Sequence, residues 1–363
     1  MTNNLAMIKF ITREHGLALH LGMGIWDFKP TDAGSLWNSV DGGNSWRQVL
    51  GTGYTAFATT SENFVVAAGL DGRFARSTDA GRTWTEDVIT IEGNIICLAA
   101  TSSSNIVIAT DVPAILWSAD GGKNWRAITL PAHDFDVVDL VTTGPGKLWV
   151  LQSPRESAIR TAAYYVWLAR SENAGPHENA DSDWFSAQRA LSNKALCYTS
   201  DYGRNWIASD EMPDHYQRNK LVAAGNSVNV AGLGCVIGAE IEGNRIHTWQ
   251  SPTPMQMFGI SERGTVIAGG YSMYGRLSVL NVLEGWRRDF TITDNGIIDA
   301  DLLDDTYGWA IAGSYGGNTC WGTQNGGATW SRPPRLIIQQ GVLGIISPFV
   351  DDRSGVEGHR AGL

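Results

Sequence analysis

Apolar residues fall along this chain in short runs that end in glycine, asparagine, aspartate or serine. "GYTAFATT", "NFVVAAG" and "GRFARST" follow one another over residues 53–78, and "NIICLAAT", "NIVIATD" and "AILWSAD" over 94–120. Such runs, four to eight residues long, rich in β-branched or aromatic side chains and bounded by turn formers, predict β-strands. After the third run of a set comes a turn that ends in tryptophan: "SVDGGNSW" at 39–46, "STDAGRTW" at 77–84, "SADGGKNW" at 118–125, "TSDYGRNW" at 199–206 and "TQNGGATW" at 323–330. A fourth strand starts near the tryptophan, so the predicted unit is a four-stranded antiparallel blade.

The turn has a fixed grammar. Its acid is Asp41, Asp79, Asp120 and Asp201, replaced by the amide Asn325 in the fifth copy; its glycine is Gly43, Gly81, Gly122, Gly203 and Gly327; its tryptophan is Trp46, Trp84, Trp125, Trp206 and Trp330. One third of the 15 tryptophans occupy this slot, which chance placement does not produce. Each position has a structural task. The acid is expected to accept a backbone N–H two residues on, glycine supplies positive φ, and hydroxyls satisfy the remaining turn groups. The indole is expected to fill the wedge between blades and to need one acceptor.

The acid position recurs after 38, 41, 81 and 124 residues, close to multiples of 41. A period of this length marks a solenoid, propeller or array. Stepping on from Asp201 reaches "EIEGNRIHTW" (240–249) and "NVLEGWRRDF" (281–290), degenerate turns with intact strands around them. The expectation is an all-β chain folded as a single seven-bladed β-propeller over 1–363. Residues 153–194 form an insertion between strands of the fourth blade; counted as a blade, they would make eight. The insertion holds "DSDWFSAQRAL", a candidate short helix with an N-cap at Asp181 or Ser182. "AMIKFITRE" and "GLALHLGMG" can supply strands before the first turn, and "RLIIQQGVLGIISPF" can complete or cover the same blade.

These turns resemble the Asp box, or BNR repeat, of sialidases, sortilin-type receptors, family 74 glycosidases and Ycf48 photosystem assembly factors. "DTYGWAIAGSYGGNTCWGTQNGGATW" at 305–330 is similar to a Ycf48-type repeat, and "NFVVAAGLDGRFARSTDAGRTW" at 63–84 has the same layout. Phage structural proteins carry related repeats. The resemblance covers most of 35–335 and implies the fold. It implies several functions equally, because such turns occur with unrelated activities.

Composition narrows the choice. A net charge of −10 and the lack of any basic run argue against nucleic acid as a partner. No stretch of about 18 apolar residues predicts direct membrane insertion, and the N-terminal stretch, interrupted by Arg13, Glu14 and His15, does not read as a signal peptide. Synthesis in the cytoplasm is the expectation, with a virion as destination if the phage resemblance holds. Cys97, Cys197, Cys235 and Cys320 are isolated, as reduced buried thiols would be. The Phe/Tyr-Arg-Ile/Val-Pro marker of sialidases is missing, "GLGCVIG" and "GPGK" open no helix, and "DADLLDDTYG" (299–308) misses the EF-hand spacing. The last reads as a solvated turn, with calcium as the alternative. No catalytic residue, cofactor or metal site is assigned.

The function read from the sequence is therefore a non-enzymatic propeller within a larger assembly, in the favoured version a phage tail or surface protein, with other proteins as partners in one or more copies. The alternatives are a Ycf48-like assembly factor for a membrane complex, or a glycan-binding adhesin or sialidase-like hydrolase. The expected partner-binding feature is the insertion. Tyr164, Tyr165, Trp167, Trp184 and Phe185 make an aromatic set typical of interface hot spots, beside Arg155, Arg160 and Arg170. The other reading of these aromatics is packing onto the ring itself.

Overall fold

The computed structural model describes residues 5–21, 33–60, 63–112, 114–130, 135–155, 160–168, 195–209, 220–232, 235–251, 256–260, 265–269, 276–281, 286–291, 296–314, 317–332 and 337–338. They are predominantly β, arranged as antiparallel meanders in chain order. Four sheets have four strands each, running from Ile95–Ala100 to Arg126–Ile128, Phe135–Gly144 to Ile207–Ala208, Lys220–Ala224 to Arg245–Ser251, and Gln256–Ile260 to Trp286–Thr291. Gly296–Leu302, Gly308–Ser314 and Gly317–Thr323 form a three-stranded sheet, and a bridge from Gly322 to Ser331 adds the start of a fourth strand. The N-terminal strands, from Leu5–Phe10 to Thr85–Val88, run together as one larger sheet.

That larger sheet is continuous because one strand, Ser45–Thr59, serves two layers. Its first part pairs with Gly34–Ser39, and from Tyr54 onward it pairs with Val65–Gly69. The handover is at Gly53, whose φ of +115° side chains rarely adopt. There Gly69 approaches so closely that a Cβ on it would lie 1.9 Å from the Gly53 carbonyl oxygen.

The first strand of each sheet packs on the first strand of the next. The series runs from the second half of Ser45–Thr59 through Ile95–Ala100, Phe135–Gly144, Lys220–Ala224 and Gln256–Ile260 to Gly296–Leu302, which in turn packs on Leu5–Phe10. Apolar clusters fill the joints. Trp149 and Leu196 meet Leu221 and Val230 in one, and Ile267 and Val279 meet Ile297 and Trp330 in another. A third cluster brings Phe10 and Trp46 against Trp309 and Ile311, so the first and last sheets share a core. Phe10 and Trp309 stack there at 3.6 Å.

The N-terminus supplies three strands before the first turn, and Ile337–Ile338 pairs in parallel with Ser45 and Trp46. The degenerate turn at 240–249 has shrunk to a two-residue hairpin in which Glu242 pairs with Arg245 and Gly243 takes φ of +62°. Within the insertion, a helix lies outside the candidate segment 181–191. The described helix spans residues 160–168, where Ala162, Ala163 and Leu168 favour helix and neither Gly nor Pro interrupts. Residues 181–191 lie outside the described residues.

Candidate functional site

Three features are candidates: the recurrent turns at the rim, the inner wall of the ring of sheets, and the inserted helix. The turns share one hydrogen-bond plan, which differs from the expected one. In the first turn the Gly43 N–H donates to Ser39 Oγ at 2.8 Å, and the Ser39 hydroxyl donates to Asp41 Oδ1. The carboxylate instead accepts from the residue four on, taking the Ser45 N–H on Oδ1 and the Ser45 hydroxyl on Oδ2. Asp79 with Thr83, Asp120 with Asn124 and Asp201 with Asn205 repeat the plan. Asn325 imitates it, accepting the Thr329 N–H and donating to the Thr329 hydroxyl. The serine hydroxyl reaches the nearer N–H because it sits two residues before the acid on the preceding strand.

Gly43, Gly81, Gly122, Gly203 and Gly327 all have φ between +77° and +90°. Trp46, Trp84 and Trp125 donate their indole N–H to the glycine carbonyl of their own turn, whereas Trp206 donates to Thr129 O of the preceding sheet. Neighbouring sheets grip the turns from outside: Arg76 donates to Gly121 O, Arg126 to Tyr202 O, Arg288 to Asn325 O and Gly326 O, and Trp309 to Gly42 O. Asp79, Asp120 and Asp201 are held at a pKa of about 2. Around Asp120 and Asp201 the donors from Asn124 and Asn205 dominate; at Asp79 burial opposes the shift, and the Thr83 donors outweigh it. Asp41 is lowered in the same way, against burial, by Ser45.

The inner wall carries charges, of which the sequence reading singled out Asp299 and Asp301 but not Asp139, Lys9 or Lys220. A one-residue register skip recurs near the start of the inner strands, between Tyr54 and Ala56, Ile95 and Cys97, Val137 and Asp139, and Ile297 and Asp299. Side chains at these bulges reach the backbone of the next inner strand. Thr55 donates to Ile95 O, the Cys97 thiol to Val138 O, and Asp139 Oδ2 accepts the Leu221 N–H at 2.7 Å. At the joint of last and first sheets, Asp299 Oδ2 accepts the Ile8 N–H and Asp301 Oδ2 the Phe10 N–H, both at 2.9 Å. Alternate residues of one strand thus bond alternate amides of its neighbour, a side-chain counterpart of a β-ladder. The other oxygens take ammonium groups, Lys220 on Asp299 at 3.0 Å and Lys9 on Asp301 at 2.6 Å.

This corrects the reading of "DADLLDDTYG" as one solvated turn. Asp299 and Asp301 are buried in the strand Gly296–Leu302, while Asp304 caps the following turn through the Thr306 and Tyr307 N–H groups. The four aspartates do not converge. Burial pushes the Asp139 carboxyl up to about 6 despite its two amide donors, Leu221 and Leu140. Lys220 is raised, because Asp299, and more distantly Asp139 and Asp301, outweigh the opposing effect of burial. The inner strands enclose an axial cavity of about 410 Å³ onto which Lys9, Lys220, Asp299 and Asp301 open.

The insertion leaves the face opposite the turns. Phe135–Gly144 pairs with Lys147–Pro154 so that Gly144 meets Lys147 at one end and Phe135 meets Pro154 at the other. Thr199, where a turn begins, lies beside Leu148 at the first end, and the chain enters the insertion from the second. On helix 160–168, Tyr164, Tyr165 and Trp167 are 56%, 62% and 41% exposed. Tyr164 packs against Trp167 one turn away with the rings tilted, at 5.8 Å and 30°, and meets Tyr165 edge-on. Val166 and Leu168 are more covered. Arg160 is exposed, and Arg155 pairs with Asp136 at 3.4 Å. Arg170, Trp184 and Phe185 lie outside the described residues.

By sequence the chain matches no family model and none of the curated proteins. Its structure is similar to β-propellers. A structure described as YCF48 bound to D1 peptide superposes with a TM-score of 0.54 at 13% identity, over 77% of this chain and 80% of that one. Virginiamycin B lyase from Staphylococcus aureus gives 0.53 at 11%, over 78% and 85%. The β-propeller domain of Cps50 (Swd1) from Myceliophteria thermophila gives 0.55 at 9%, over 88% and 98%. The chain has a β-propeller fold, and the neighbours include an enzyme as well as proteins of other kinds.

Proposed function

We propose that this chain is a single, non-catalytic seven-bladed propeller that works as a protein-interaction component of a larger assembly, with the inserted helix as its contact. The observation that carries this reading is the exposed aromatic ridge of Tyr164, Tyr165 and Trp167. Other large apolar side chains exposed among the described residues are the scattered valines Val40, Val88 and Val112. Clustered exposed aromatics of this kind are the anchors from which interfaces draw most of their energy. The D1 peptide on the similar YCF48 structure is in keeping with a propeller that takes a protein partner.

The seven-blade count is supported by the strand Ser45–Thr59, which serves as outer strand of one blade and inner strand of the next. Division there turns the larger sheet into two blades. On this reading 153–194 leaves the fourth blade, and the five recurrent turns are Asp boxes with a structural role. In the favoured version the assembly is a phage virion, and recovery of the chain from purified particles supports that setting. Recovery with a membrane complex supports the assembly-factor version instead.

The test of the interaction is Tyr164→Ala combined with Tyr165→Ala and Trp167→Ala. These side chains are exposed, so the melting temperature should stay within a few degrees. Incorporation into the assembly should fall at least tenfold, since single hot-spot truncations cost about 2 kcal/mol or more. Normal incorporation of the triple variant would refute the reading. Turnover of a sialoside or β-glucan that vanishes on replacing one carboxylate would refute the non-catalytic part.

A further inference from the structure

The axial cavity has a hydrogen-bonding imbalance. It is lined by the later halves of inner strands, including residues 57–59, 98–100, 140–142 and 299–301. Its volume of about 410 Å³ is within the range of small-ligand sites. Two carboxylates and two ammonium groups open onto it. All four carboxylate oxygens already accept a hydrogen bond: Asp299 from Ile8 N–H and Lys220, Asp301 from Phe10 N–H and Lys9. Each ammonium has three N–H groups and spends one on its aspartate. The Thr59 and Thr142 hydroxyls line the same space. The carboxylates of this wall are engaged, and its ammonium donors are in surplus.

A surplus of charged donors fits a ligand that brings acceptors and negative charge, because such bonds are the short, strong ones. A cationic ligand would have to displace a lysine from its aspartate. An anion need displace neither, since each lysine can hold its aspartate and donate to the newcomer. We infer that the axial cavity binds a carboxylate, seated between Lys9 and Lys220. The carboxylate can come from a free small acid or from the C-terminus of a peptide. The site is independent of the proposed helix contact, which leaves the ring from the other face, so either can fail without the other.

The test is calorimetric titration of the full chain with three probes: succinate, N-acetyl-tetra-alanine with a free C-terminal carboxylate, and the same peptide as its C-terminal amide. At least one carboxylate probe should bind and the amide should not. Succinate and peptide binding alike points to a free acid, and binding by the peptide alone points to a chain end. Lys9→Met should weaken binding about tenfold or more, whereas Lys123→Met at the rim should leave it unchanged. Lys9 is 45% exposed, so its replacement should leave the fold intact. If Lys9→Met melts early, Lys9→Gln replaces it with the same expectation, because it keeps a donor for Asp301 and loses the charge. The inference is overturned if no carboxylate probe binds up to about 10 mM, if acid and amide bind alike, or if the folded Lys9 variant binds as the parent does.

Discussion

The rim and the inner wall use the same chemical group in opposite ways. At the rim, Asp79, Asp120 and Asp201 lie at least partly open to water and are held at about 2 by donors from their own turns. At the wall, Asp139 has two amide donors yet is pushed up to about 6 by burial. Hydrogen bonds decide the outcome where water still solvates the carboxylate, and burial decides it where water is excluded. The rim acids organise a few neighbouring residues. The wall acids join strands far apart in sequence, and breaking them should cost more.

The largest expected effect is therefore at the wall. Asp299→Ala removes the acceptor of the Ile8 amide and of Lys220 together. It should cost about 2–4 kcal/mol, since the buried Ile8 N–H loses its acceptor and Lys220 its ion pair. Urea denaturation measures this, and a loss under 1 kcal/mol would mean that the joint of first and last sheets does not depend on the carboxylate. Next comes Ser118→Ala, in which the Gly122 amide and Asp120 lose a fully buried hydroxyl. The expected cost is about 1–3 kcal/mol, and an unchanged melting temperature would contradict the plan described for the turns.

Asp139→Asn separates burial from hydrogen bonding, because the amide oxygen still accepts from Leu221. A carboxyl raised from about 3.9 to about 6 binds its proton more tightly in the folded chain, so it favours folding at low pH. That contribution is lost as pH rises through the window from about 4 to 6. The Asn variant should match the parent near pH 4 and exceed it by about 3 kcal/mol at pH 8. Equal stability at both pH values would place Asp139 in better-solvated surroundings.

The smallest effect is at the rim. Carboxylates with lowered pKa stabilise the fold above about 3.9, and this is lost as pH falls from there towards 2. Asp120→Asn, which copies the fifth turn, should remove one proton from the uptake on acid unfolding and lower stability at pH 7 by less than Ser118→Ala does. Acid titrations that superimpose for the two proteins would show that the turn carboxylate has no preference between folded and unfolded chains.

The rim was legible in the sequence because each turn is a local object of eight residues repeated with one grammar. Even there, the hydroxyl at Ser39, Ser77 and Ser118 was given a minor task, although it holds the glycine amide. The wall was not legible, because Asp299 and Ile8 are 291 residues apart and no spacing rule connects them. One signal was present. In "GIIDADL" two aspartates alternate within an apolar strand, and carboxylates buried on one face must find donors. Helix 160–168 carries only the plain propensity of residues such as Ala162 and Ala163, a weaker signal than the capping pattern at Asp181.

The bond from Asp299 to Ile8 also sets a schedule for the ribosome. At about 5–20 residues per second, synthesis of the chain between them takes roughly 15–60 s. Through that time the strand Leu5–Phe10 waits with the Ile8 and Phe10 amides unpaired and Phe10 without its Trp309 partner, while the sheets between can form in order as they emerge. Contacts of such sequence separation are the slow ones in folding. Nascent chains are thus exposed to pairing with one another at Leu5–Phe10, and a chaperone that protects this protein should act there.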